Sequence, residues 1–342
     1  QTEGFIDLAL ACPRGGDFYP GNKLARLMGQ ILRRQPGMVS TYALPPGSER
    51  LRTQIARRGM DLGMALQPDN IILTHGCMEA LQLALRAVTR HGDAVGLESP
   101  TYFNLLPLLA SLGLKAVEIP TDPQTGLSID AVEVLLAERR IQALVAMPNV
   151  HNPLGCCMPL EAKKRLARLV NHYQVPLIED ALYAELQFAD TLAPAVKAFD
   201  EDGWVIVCAS YTKTLAPDFR IGWMEGGRFD AQLRKLKFAS SVAEPVVLAE
   251  TLGAFLESGG YDHHLRTLKR RYAAHVEKVR GLIARHFPAG TRATQPQGGF
   301  LIWLELPEGC DSVALFHAAM AEKISLIPGP LSSPGGRYRN AL

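Results

Sequence analysis

The stretch Trp204-Val205-Ile206-Val207-Cys208-Ala209 runs without a break into Ser210-Tyr211-Thr212-Lys213-Thr214-Leu215-Ala216-Pro217-Asp218-Phe219-Arg220. A short apolar run of this kind reads as a strand buried on both faces. The segment after the run sets a hydroxyl three residues before a lysine and an arginine seven residues after it. Taken alone, a lysine near a serine and an arginine also reads as ordinary solvated surface. The rest of the chain decides between the two.

Working outward, the same alternation recurs. Ile71-Ile72-Leu73-Thr74, Ala94-Val95-Gly96-Leu97, Ala116-Val117-Glu118-Ile119, Ala143-Leu144-Val145-Ala146-Met147 and Val175-Pro176-Leu177-Ile178-Glu179-Asp180 read as strands. Between them, 78–88, 105–112, 129–139 and 160–173 carry the apolar spacing of helices. Strands that are apolar throughout, separated by helices, predict a mainly parallel α/β sheet covered on both faces. Ligands on such sheets bind beyond the carboxyl ends of the strands. A charged amphipathic helix over 261–287 leads into a smaller unit, where 299–306 reads as a strand and 312–323 as a helix. Residues 1 to about 40, rich in Gly and Pro, are expected to form an arm and turns.

Bulk properties narrow the function. The 342 residues allow a large core and about two domains at roughly 150 residues each. Thirty-six basic against 34 acidic residues leave a net charge of +2, which favours neither nucleic acid nor a membrane surface. No apolar run reaches the roughly 20 residues that span a bilayer, and the N-terminus does not resemble a secretory signal. Cys12, Cys77, Cys156, Cys157, Cys208 and Cys310 show no CxxC spacing, so neither disulfides nor a metal site is expected, as in a reducing cytoplasm. The chain begins Gln1-Thr2-Glu3, has its first methionine at Met28 and stops at Leu342; it reads as a fragment of a longer protein, or as a chain trimmed to its ordered part.

Several groups fall at strand ends. A primary amine at Lys213 can form a Schiff base with an aldehyde cofactor, and Ser210 and Arg220 can hold a phosphate, the arginine as a planar fork. These are the requirements of pyridoxal phosphate. Asp180 ends a strand, with Tyr183 three residues on; a buried carboxylate there can keep a pyridine ring protonated, or simply cap a helix. Asn152-Pro153-Leu154-Gly155 can place an amide on a ring oxygen, or merely start a turn. Thr74-His75-Gly76-Cys77-Met78-Glu79-Ala80 joins a strand to a helix start, where exposed amides bind phosphate and Gly76 permits close approach; a plain connecting turn is the alternative. Tyr102 can stack on a flat ring or fill the core.

Together these residues resemble the fold-type I pyridoxal phosphate enzymes, the aspartate aminotransferase superfamily, over nearly the whole chain. The resemblance implies a mainly parallel seven-stranded sheet with helices on both faces plus a smaller α+β domain. It implies an arm at 1–40, a large cofactor-binding domain at 41–260 and a small domain at 261–342. It makes Lys213 the Schiff-base lysine, Ser210 and Arg220 the phosphate ligands, and Gly76 and Cys77 the phosphate-binding amides. Asp180 becomes the pyridinium partner, Tyr183 and Asn152 the donors to the ring oxygen, and Tyr102 the stacking aromatic. Tyr42, in Tyr42-Ala43-Leu44-Pro45-Pro46-Gly47, is similar to the tyrosine that reaches the neighbouring subunit's phosphate, which implies a homodimer with sites at the interface and a small amino-acid-like ligand.

Ala11-Cys12-Pro13-Arg14-Gly15-Gly16-Asp17-Phe18-Tyr19-Pro20, Asn152 to Cys156 and Arg337-Tyr338-Arg339-Asn340 further resemble the aminotransferase-like domain of MocR-type regulators in the GntR family. Those carry an N-terminal winged helix-turn-helix, so DNA would be bound only through a domain outside this sequence. Three departures stand out. Asp218 occupies a position where glycine is common, and its carboxylate can weaken the anion site if it points inward. Ala11 lies near a usual pocket glycine. The arginine that grips a substrate carboxylate is expected just after Leu342, with Arg337 and Arg339 reading as surface charges.

Overall fold

The computed structural model describes residues 4–13 and 18–342. In chain order the strands are β1 (Ile6–Asp7), β2 (Ile71–Thr74), β3 (Ala94–Ser99), β4 (Lys115–Asp122), β5 (Gly126–Leu127), β6 (Ala143–Ala146), β7 (Leu177–Asp180), β8 (Val205–Ser210), β9 (Gly222–Glu225), β10 (Arg292–Ala293), β11 (Leu304–Glu305) and β12 (Ile324–Ser325). The helices are α1 (Gly21–Arg34), α2 (Glu49–Gly59), α3 (Cys77–Val88), α4 (Leu105–Ser111), α5 (Ile129–Ala137), α6 (Leu160–Tyr173), α7 (Asp230–Ser241), α8 (Val246–Glu257), α9 (Gly260–His286) and α10 (Ser312–Ala321). Ser48, Ser128 and Asp311 open α2, α5 and α10 by accepting first-turn amides on their side chains.

The main sheet has the order β2-β9-β8-β7-β6-β3-β4-β5. Pairs β8–β7, β7–β6, β6–β3 and β3–β4 are parallel. Strand β9 is antiparallel to both β2 and β8, which leaves β2 running the same way as β8. The expected seven strands are present, and the two-residue β5 adds an eighth, antiparallel to β4. Side-chain alternation explains the unbroken apolar runs. Ile206 and Cys208 of β8 pack with Leu81 and Leu85 of α3, while Val207 and Ala209 pack with Leu252 of α8 on the other face. In β6, Val145 faces the first of these layers and Leu144 faces Leu136 and Leu166 of α5 and α6. Both faces are covered, so neither tolerates a polar alternation.

This topology brings the carboxyl ends of β2, β3, β6, β7 and β8 to one edge. The polar residues Thr74, Ser99, Asp180 and Ser210 end four of these strands. Register tightens the grouping, since Gly222 of β9 pairs with Thr74 on one side and Ser210 on the other.

Two expectations are corrected. Residues 1–40 are not only arm and turns, because α1 is a 14-residue helix packed against α8. Its apolar positions Leu24, Leu27 and Ile31 recur at helical spacing among basic residues, a signal that the surrounding Gly and Pro obscure. Strand structure expected over 299–306 shrinks to Leu304–Glu305, paired with β10. The segment before it turns inward instead, with Gly298 and Gly299 against Leu186, Gln187 and Val150. Strand β9 has no counterpart among the strands expected from sequence. At the outer end, β1 pairs in parallel with β12, joining the beginning of the chain to its last quarter. Among the described residues, no helix is long and apolar enough to cross a membrane.

Candidate functional site

Asp180 is the floor of the site. It ends β7 and is 4% exposed. Its Oδ1 accepts the Leu182 amide at 2.9 Å and the Cys77 thiol at 3.5 Å. Burial pushes its carboxyl up to about 6, against those two donors, with Glu98 adding to the rise and His151 opposing it. One oxygen is thus satisfied by protein, and among the described residues Oδ2 is left for a cationic or protonated partner. No helix begins at Asp180, so the capping alternative falls. The Cys77 thiol connects the start of α3 to this carboxylate.

Lys213 lies half-buried beyond β8, and its ammonium donates to the Ala11 carbonyl. Burial lowers its pKa; Cys12 and Asp180 oppose that shift, and Arg220 adds to it. Among the described residues no carboxylate forms an ion pair with it; the lysine is half-buried, while Arg220 of the same segment is exposed.

The turn between β2 and α3 forms a shallow cup. Gly76 has φ +78°, and a Cβ there would lie 2.5 Å from Arg220 Nη2. Gly222 presses from the other side, where a Cβ would lie 2.6 Å from the Gly76 carbonyl carbon. The guanidinium therefore sits directly over a glycine backbone at the N-terminus of α3, where first-turn amides have no partner within the helix. One detail differs from expectation: the Gly76 amide itself donates to Thr74 O at 2.9 Å, so Gly76 supplies room more than a free donor. Arg220 Nη1 reaches Thr212 Oγ1 at 3.5 Å and has no ion pair among the described residues. Ser210 is buried, and its Oγ accepts the Thr212 amide at 3.3 Å. Asp218 is exposed and does not pair with Arg220, which removes the concern that it neutralises the cup.

Tyr183 is 1% exposed, and its hydroxyl has no hydrogen-bond partner among the described residues. Burial pushes this phenol far above the ordinary range. A buried orphan hydroxyl costs on the order of 1–3 kcal/mol unless a ligand completes it. Tyr102 is half-buried, its pKa raised by burial, and it packs edge-on against Phe103 with centroids 5.2 Å apart. Asn152 is half-buried beyond β6. Tyr42 is 81% exposed. Arg14–Asp17, part of one motif, lie outside the described residues. Tyr338 shares a 2.8 Å hydrogen bond with Ser99, while Arg339 pairs at the surface with Asp311. Arg337 is exposed, in keeping with the surface role expected of both arginines.

Two participants escape a reading of the sequence. Glu98 and His151 are 3% and 1% exposed, with Oε2 and Nε2 3.3 Å apart behind Asp180. His151 Nδ1 accepts the Leu154 amide at 3.2 Å, and Glu98 Oε2 accepts the Met147 amide at 2.8 Å. Charged residues inside or beside apolar strands were the available signal.

The residues present fit pyridoxal phosphate. Among the described residues, a carboxylate with one oxygen not engaged by a donor, an unpaired arginine over a glycine cup, an orphan phenol and a lysine without an ion pair share one edge. The family model for aminotransferase class I and II matches residues 17–339. Over 319 residues the chain is 35% identical to the uncharacterized HTH-type transcriptional regulator YjiR of Escherichia coli (strain K12), covering 93% of this chain and 68% of that protein. It is 36% identical over 320 residues to the uncharacterized HTH-type transcriptional regulator YdcR of the same organism, covering 94% and 68%. The crystal structure of Pyrococcus horikoshii kynurenine aminotransferase in complex with PMP superposes with a TM-score of 0.91 at 25% identity, covering 99% of this chain and 85% of that one.

Proposed function

The chain belongs to the aminotransferase class I and II family, and from that premise we propose that it is the pyridoxal phosphate-binding, aminotransferase-like effector domain of a GntR/MocR-type transcription regulator. It would sense an amino compound, in the cytoplasm and as a homodimer. One observation carries the cofactor half of this reading: the convergence of Lys213, Asp180 and the unpaired Arg220 on one sheet edge. The regulator half rests on the higher identity to two transcription regulators than to the superposed enzyme.

When bound, pyridoxal phosphate supplies an aldehyde for the lysine amine and an electron-poor ring that stabilises negative charge on a bound amino compound. The chain's own part is to hold and tune. Arg220, Ser210 and the first-turn amides of α3 would hold the phosphate. Asp180 Oδ2 would hold a proton on the ring nitrogen, its other oxygen being fixed by Leu182 and Cys77. Tyr183 and Asn152 would donate to the ring oxygen, and Tyr102 would cover one ring face. Burial favours the neutral amine of Lys213, which suits it to act as nucleophile and as the group that moves a proton at the ligand's α-carbon. Tyr42, exposed on its own subunit, would reach the partner's phosphate.

A second reading, a stand-alone aminotransferase moving an amino group between an amino acid and a 2-oxo acid, is favoured by the proton-transfer lysine, which sensing alone does not need. Adding pyridoxal phosphate to the complete protein and screening amino acids separates the two. Near-visible spectral change without oxo-acid product supports the sensor, and stoichiometric or catalytic product supports the enzyme. A Lys213→Ala protein that kept the wild-type cofactor spectrum would overturn both. The coding sequence ahead of Gln1 adds an independent test, since a winged-helix segment there supports the regulator and an immediate start codon contradicts it.

A further inference from the structure

A buried cation lies directly behind the phosphate cup. Lys237, on α7, is fully buried. Its ammonium donates to Glu79 Oε2 at 2.8 Å and Ser241 Oγ at 2.6 Å, and it forms an ion pair with Glu244. His75 Nδ1 is 3.4 Å away. Glu79 is saturated in turn: Oε2 also accepts the His75 amide at 2.6 Å, and Oε1 accepts the Ser241 hydroxyl at 2.5 Å. Burial opposes the ionised form of Glu79, but its donors His75, Lys237 and Ser241 win and hold it at about 2. The ligand atoms of His75, Glu79 and Glu244 lie within 4.8 Å of one another, which would suit a metal ion. The ammonium of Lys237 already occupies that company, so the cluster is complete as a lysine site.

The partners of Lys237 belong to two separate functional segments. His75 and Glu79 flank Gly76 and Cys77, and the Glu79–His75 amide bond sets the path of the turn into α3. Glu244 forms an isolated antiparallel bridge with Ala43, the residue after Tyr42. One ammonium therefore joins the turn that would bind this subunit's phosphate to the segment that would reach the partner's. Without it, the half-buried carboxylate of Glu79 and the buried one of Glu244 would face each other beside a site meant for a dianion, weakening that site by repulsion as well as by loss of shape.

We infer that Lys237 is a positioning residue for the cofactor phosphate, acting through Glu79 on the α3 turn and through Glu244 on the Tyr42 segment. The inference rests on the proposed binding of pyridoxal phosphate. Its signature is selectivity for the phosphate group. Pyridoxal shares the ring and aldehyde but lacks the phosphate, so the ratio of the two affinities isolates what the cup contributes.

The test is equilibrium binding of pyridoxal phosphate and of pyridoxal to the wild-type chain, Lys237→Met and Lys237→Arg. Lys237→Met is expected to weaken pyridoxal phosphate by about tenfold or more and pyridoxal by less than about threefold, a change on the scale of one charge-assisted hydrogen bond. Lys237→Arg is expected to recover part of the ratio. If Lys237→Met does not fold, the triple variant Lys237→Met, Glu79→Gln, Glu244→Gln removes the stranded charges along with the cation and is expected to fold yet still lose several-fold of the ratio, the share that comes from loss of shape. A folded variant of either kind that keeps the wild-type ratio overturns the inference while leaving the cofactor reading intact. A wild-type chain that binds neither compound overturns the cofactor reading, and the inference with it.

Discussion

Lys213 and Lys237 are both withdrawn from water, and their surroundings are opposite. Lys237 is enclosed by two carboxylates and a hydroxyl, so its charge is fully answered and immobile. Lys213 is half-buried and leans on one backbone carbonyl with no ion pair, so burial lowers its pKa. The contrast separates two uses of a buried amine. A complemented ammonium organises its neighbours, whereas an uncomplemented one is available for chemistry, and such groups cluster at functional sites.

Removing each lysine sharpens the difference. Lys237→Met strands the buried carboxylate of Glu244 beside the half-buried one of Glu79 and is expected to cost about 3–5 kcal/mol in denaturant unfolding. Lys213→Met, measured the same way without cofactor, is expected to change stability by less than about 1 kcal/mol. Equal losses would break the comparison.

The next effect concerns the acid below Lys213. The Asp180 carboxyl lies at about 6 in the folded chain, against an ordinary 3.8. Between these values the folded state holds more protons than the unfolded state. The contribution of Asp180 to the stability of the cofactor-free protein therefore falls as pH rises through that window, by about 3 kcal/mol at most. Asp180→Asn is expected to flatten this part of the profile, read as urea midpoints from pH 4 to 7. A difference between wild type and Asp180→Asn that does not change with pH across the window would contradict the assignment. Gly76→Ala ranks below it. A residue with a Cβ at φ +78° costs about 1–2 kcal/mol, and the Arg220 guanidinium must move off the cup. Pyridoxal phosphate affinity should drop by more than the pyridoxal affinity does. Least of all, Tyr42→Phe should leave unfolding of the cofactor-free chain within about 0.5 kcal/mol, because the side chain is exposed. A measurable loss of cofactor retention in that variant would tie Tyr42 to the partner's site.

The main sheet is readable in the sequence because its strands are apolar throughout and short helices separate them. Asp180, Ser210 and Lys213 are readable because they interrupt or end such runs. The strand β9 is not, since Gly222-Trp223-Met224-Glu225 is short and contains both a glycine and a buried acid. Helix α1 is hidden by the Gly and Pro around it. The Lys237 cluster is invisible for a different reason. Glu79 and Lys237 are separated by 158 residues, and each sits in a helix whose charges read as solvent-facing. Glu98 and His151 are likewise brought together only by the pairing of β3 with β6. Linear spacing reports neighbours along a helix or strand; pairs assembled by sheet order leave no such trace.

The hydrogen bond from Lys213 to Ala11 has a consequence for how this site tolerates change. Its acceptor is a main-chain oxygen, which every residue type carries, so most substitutions at position 11 leave the acceptor in place. What fixes it is the route of the chain from the β1–β12 pairing inward. Insertions or deletions between Asp7 and Ala11 are the changes that would move it. A one-residue shift there would carry the oxygen away from the amine while leaving every side chain of the cofactor site unaltered.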